Sequence, residues 1–73
     1  MSDSITEKFR AANSPETTLS TLYTLSRDSD ELIRAAVVHN PSVSKEIIYS
    51  LLDDDSEYVQ SAIIAIGFKP NLH

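Results

Sequence analysis

The chain has no cysteine, no tryptophan and one glycine in 73 residues. Without cysteine no disulfide can brace it, and no redox compartment can be read from thiol usage. Two histidines and no cysteine leave a structural zinc centre without its usual ligands. A single glycine beside 41% hydrophobic residues excludes a low-complexity chain and points to helices. Long apolar runs are missing, and Lys8 and Arg10 follow a polar start, so neither a membrane span nor a signal-peptide pattern is visible. The expectation is a cytoplasmic protein without membrane insertion. Basic residues are scarce, six against eleven acidic ones, giving a net charge of −5 that repels a phosphate backbone and argues against nucleic-acid binding. No Gly-rich phosphate loop, serine elbow or suitably spaced carboxylate pair occurs, so no enzyme, catalytic residue, cofactor or metal is expected. A chain this short buries only roughly 60–65% of its unfolded surface. With disulfides and zinc set aside, oligomerisation or very regular helix packing must supply its stability.

What is present is one segment written three times. DSDELIRAAVVHNP runs from Asp28 to Pro41, with related stretches SITEKFRAANSP from Ser4 to Pro15 and DDSEYVQSAIIAIG from Asp54 to Gly67. Ser4 with Glu7, Asp28 with Glu31, and Asp54 with Glu57 have capping-box spacing, which predicts helix starts at Ser4, Asp28 and Asp54. Ile33, Ala36 and Val37 form an apolar stripe at helical period; Val59, Ala62, Ile63 and Ile66 repeat and extend it, and Phe9 and Ala12 shorten it. Pro15 and Pro41 end the first two copies, and Gly67 supplies a left-handed C-cap for the third.

Between these copies lie two further helices. Ser14 is read as the cap of the second helix, with Pro15 at its first position and Leu19, Leu22 and Leu25 on its buried side. Ser42 or Ser44 caps the fourth, which buries Ile47, Ile48, Leu51 and Leu52. LYTL at 22–25 aligns with IYSL at 48–51 at the same 26-residue offset that separates the prolines. The resulting expectation is a single all-α domain over 1–73. It holds five helices, near 4–12, 15–26, 29–39, 45–52 and 56–66, with irregular tails at 1–3 and 68–73. The tail after Gly67 offers Phe68 and Leu72 as apolar cover, and Pro70 and the terminal His73 are read as irregular.

The stretch DSDELIRAAVVHNPSVSKEIIYSLL resembles the HEAT-like and variant leucine-rich (LRV) alpha-solenoid repeats. The resemblance covers about residues 7 to 66 and implies a short right-handed alpha-solenoid of two and a half helical-hairpin repeats with period 26. It also implies an Asp–Arg ladder between neighbouring repeats. Asp28 would pair with Arg34, and the equivalent positions hold Ser4 with Arg10 and Asp54 with Gln60. Repeats of this kind are mostly binding scaffolds, so the resemblance implies a protein partner.

The candidate partner-binding residues are Tyr23, Tyr49, Ile64 and Phe68. Tyr23 and Tyr49 occupy equivalent places, either as an exposed aromatic array or as packing at the boundary between repeats. Ile64, Ile66 and Phe68 make the C-terminal end unusually apolar for the last unit of a solenoid, which expects a polar outer face. Either the short tail covers that end or another subunit does, and a homo-oligomer, a dimer first, is the favoured expectation. The run Asp53, Asp54, Asp55 with Glu57 lacks the spacing and glycine of a calcium loop and is read as solvated charge around a cap. His39, at a helix end, complements the dipole. The functional expectation is a small protein-binding adaptor or regulator. The alternative is an acidic decoy that occupies a basic groove of a nucleic-acid-binding protein.

Overall fold

A computed structural model describes residues 4–69, with Ser4 by its backbone only; expectations for residues 1–3, for the Ser4 cap, and for Pro70, Leu72 and His73 lie outside the described residues. Five helices and no strand occur among them: α1 (Ser4–Asn13), α2 (Leu19–Leu25), α3 (Glu31–His39), α4 (Lys45–Ser50) and α5 (Glu57–Ala65). None is long and apolar enough to cross a membrane.

Each later helix begins where a short oxygen-bearing side chain takes an orphan N–H. Thr18 caps α2 by accepting from the Thr21 N–H, Asp30 caps α3 by accepting from Leu32, and Ser44 caps α4 by accepting from Ile47. Ser56 caps α5, accepting from both Tyr58 and Val59. The expected caps at Asp28 and Asp54 are therefore displaced by two residues. Both carboxylates instead accept the N–H two residues on, from Asp30 and Ser56, at 2.9 Å each. These Asx turns lead the chain into the cap itself. The Ser14–Pro15 start is also corrected. Residues 14–17 make a turn in which Thr17 donates to the Ala11 carbonyl at 2.6 Å, and helix begins only after Thr18. Leu19, now the first helical residue, is consequently exposed rather than on the buried side.

One contiguous core contains Ala12, Leu22, Leu25, Ile33, Val37, Val38, Ile47, Ile48, Leu51, Val59, Ala62 and Ile63. It draws on all five helices or their ends, and α3 is its middle member, packing against α1, α2 and α5. The α3 and α5 stripes are buried as their period requires, with two departures: Ala36 is only partly buried, and Ile66 falls past the end of α5 and is 40% exposed. Gly67 ends α5 with φ 73°. Its N–H bonds to the Ile64 carbonyl and the Phe68 N–H to that of Ile63, the two bonds of a Schellman motif, and Phe68 packs back on the core.

Candidate interaction surface

The polar framework that sets the surface is built from bonds recurring 26 residues apart. Lys8 Nζ lies 2.8 Å from Asp28 Oδ2, and Arg34 Nε lies 2.8 Å from Asp54 Oδ2. Both partners shift by 26 between the two pairs. Arg34 adds a second bond from Nη2 to Asp54 Oδ1 at 3.1 Å, making its contact bidentate. The third member of the series, Gln60, is uncharged and donates to the Leu52 and Asp54 carbonyls at 2.9 Å each.

This geometry changes the expected ladder. Arg34 does meet Asp28, but through its backbone: Nη1 donates to the Asp28 carbonyl at 2.7 Å, while the carboxylate that pairs with the guanidinium is Asp54. Gln60 meets the Asp54 backbone in the same way. Arg10 is exposed, and Lys8 is the α1 cation that reaches Asp28. The hydrogen bond from Lys8, aided by the Asp30 N–H, holds the Asp28 carboxyl below the usual range. The Arg34 guanidinium does the same to Asp54, against the opposing effect of burial. In turn Asp54 raises Arg34 above its ordinary value.

A second junction lies outside the sequence expectations. Asn40, 2% exposed, donates through Nδ2 to the carbonyls of Ala12 at 2.7 Å and Ser14 at 2.8 Å, and its Oδ1 accepts the Ser42 N–H at 2.7 Å. Ser42 then donates to the Pro15 carbonyl at 2.6 Å. Ser14, 26 residues earlier, makes the smaller version of the same turn by accepting the Glu16 N–H. The paired Ser-Pro and Asn-Pro sequences are the signal that points to it. Ser56 adds one more tie, donating to Glu31 Oε1 at 2.7 Å. No buried side-chain polar atom among the described residues lacks a partner.

The sites proposed from the sequence fall into two groups. Tyr23 and Tyr49 are 49% and 43% exposed, half on the surface and half packed. Their neighbours differ: the Arg27 guanidinium sits over the Tyr23 ring, 5.8 Å from its centroid, and Phe68 meets Tyr49 edge-to-face at 5.4 Å. Phe68 is thus a packing residue as much as a surface one. Ile64 stands apart, 76% exposed on α5. Leu32 and Tyr58, a further pair at the 26-residue offset and not among the sequence candidates, are 45% and 59% exposed.

An open cleft of about 360 Å³ lies beside the ion pairs, lined in part by Ser26, Arg27, Asp28, Arg34, Ser50 and Asp54. The Ser26 and Ser50 hydroxyls donate to the Tyr23 and Ile47 carbonyls, and the Asp28 and Asp54 carboxylates face Lys8 and Arg34, so these groups are engaged within the fold. Among the described residues no three His, Asp or Glu side chains are arranged to hold a metal ion. Comparison with known protein families, with curated proteins and with solved structures finds no match.

Proposed function

We propose that the chain is a non-enzymatic protein–protein interaction module, a short right-handed alpha-solenoid of two and a half repeats of the HEAT-like and LRV type that self-associates, with a cytoplasmic site of action. The observation that carries this reading is the contrast along one register. Ala12 and Val38 are 0% and 1% exposed, whereas Ile64, a further 26 residues on, is 76% exposed. A position built as core in two places stands open in the third. Tyr23 and Tyr49 add half-exposed aromatic area of the kind that anchors partners. The Asp28, Arg34 and Asp54 side chains at the cleft are spent on internal pairs, which supports a scaffold over a reaction centre.

Sedimentation equilibrium of the full chain tests self-association, and affinity capture with Tyr23→Ala/Tyr49→Ala tests the aromatic pair. A chain that remains monomeric, and whose captured proteins are the same with and without the two tyrosines, contradicts the module reading.

A further inference from the structure

We infer that the outer face of α5 binds a second copy of this chain, forming a closed two-fold dimer. The inference rests on the interaction-module reading and names the partner and the symmetry. Three observations point to a copy rather than to an unrelated protein.

The first is register. Ala12 lies on α1, which packs against α3; Val38 lies on α3, which packs against α5. Both are buried beside another helix of this same chain. Ile64 lies on α5, after which no further helix occurs among the described residues. In both earlier places the side chain at this register is buried beside an apolar helix face of this same chain, and the uncharged outer face of a second α5 offers a surface of that kind.

The second is charge. From Tyr58 to Phe68 no residue is charged, in a chain with a net charge of −5. Two α5 faces can therefore meet without opposing like charges, which an isologous contact otherwise multiplies. The exposed side of α5 carries Tyr58, Ser61, Ile64 and Ala65 along one arc, with Glu57 at its beginning and exposed Lys69 beyond its end. An antiparallel crossing about Ser61 sets Ile64 against Tyr58 of the second copy. It also sets each Glu57 against Ala65, at the uncharged end of the other α5.

The third concerns closure. The exposed side of α1 bears Glu7 and Arg10, so a head-to-tail contact would bury charge against the apolar α5 face. Gln60, neutral and bonded to its own backbone, also offers no cation to an Asp of a following copy. Both features favour the two-fold pairing over an open chain.

Sedimentation equilibrium of the full-length chain, with Ile64→Asp, Arg10→Glu and a form ending at Lys69, tests this. The expected result is a mass that rises with concentration to twice 8.1 kDa and stops there. Ile64→Asp should weaken association by about 100-fold or more. Its helical circular dichroism at low concentration should stay unchanged, because the side chain it replaces is already exposed. Arg10→Glu and the truncated form should associate as the parent does. A parent chain that stays monomeric while the truncated form associates identifies the chain's own end as the occupant and overturns the inference. A mass climbing past two overturns closure. Association abolished by Tyr23→Ala/Tyr49→Ala but indifferent to Ile64→Asp overturns the α5 contact and leaves the interaction-module reading standing.

Discussion

The C-terminal parts of α3 and α5 have the same spacing, similar side chains and opposite fates. Val37 and Ile63 both enter the core, yet Val38 is buried and Ile64 is bare. After α3, Asn40 ties the chain back to the end of α1 through two carbonyls. After α5 the equivalent residue is Ile66, 40% exposed and unable to make such bonds. Burial here is set by the next segment of chain, not by the helix itself. A helix closes the interior when another packs on it and presents an apolar face when none does.

The strongest challenge to this contrast is to place the same charge at both positions. Val38→Asp buries a carboxylate without a partner and should cost more than about 4 kcal/mol, enough to unfold a marginal domain. Ile64→Asp should leave the denaturant midpoint at low concentration unchanged. Urea unfolding followed by circular dichroism measures both.

The next largest effect is expected at the tie after α3. Asn40→Ala leaves the Ala12 and Ser14 carbonyls and the Ser42 N–H without their buried partner, at about 2–3 kcal/mol. That corresponds to a fall in Tm of roughly 10–20 °C for a domain of this size. A fall below a few degrees would show that the tie is not structural.

The two ion pairs form a smaller comparison within the larger one. Arg34–Asp54 is bidentate with side-chain exposures of 18% and 10%, whereas Lys8–Asp28 is a single contact whose lysine is 42% exposed. Asp54→Ala should cost about 2 kcal/mol and Asp28→Ala about 1 kcal/mol, since each also loses one turn bond but only the first breaks a shielded pair. Equal losses would mean that the turns, not the cations, carry the effect.

Acid probes the same two pairs. Both carboxyls are held below their ordinary values, so their stabilising contribution is complete above about pH 4 and is lost as pH falls through the lower, folded values. The parent chain should lose stability in the window below about pH 4. Asp54→Asn should lose less over that window in urea titrations at stepped pH. A parent curve no steeper than the variant's would contradict the pairing.

Much of the interior is legible in the sequence. The apolar periods place Leu22, Leu25, Ile33, Val37, Ile47, Ile48, Leu51, Val59 and Ile63 there, and the structure buries all of them. Gly67 announces its left-handed turn because one glycine in an otherwise helical sequence has few other uses. The caps are less legible because DSD and DDS each hold several side chains able to cap; only the three-dimensional path shows that the first is used by a turn and the last by the helix. The ion pairs are obscured for a related reason. Aligning Arg10 with Arg34 matches residue types, whereas the bonds align Lys8 with Arg34 and Ser14 with Asn40. Asn40 itself gives little signal because one asparagine before a proline usually marks only a turn. Which apolar side chain stays exposed is half legible: Ile64 stands out on the last described helix, but Leu19 lies on the apolar period of α2 and is nonetheless exposed in its first turn.

The most direct test sets the two positions side by side across concentration. Val38→Ala and Ile64→Ala are each unfolded in urea at about 1 µM and again at about 500 µM, beside the parent chain. At the low concentration Val38→Ala should lose about 2 kcal/mol and Ile64→Ala almost nothing. At the high concentration Ile64→Ala should also fall behind the parent, narrowing the gap between the two variants. A gap that stays the same at both concentrations would contradict the claim that α5 awaits a second copy.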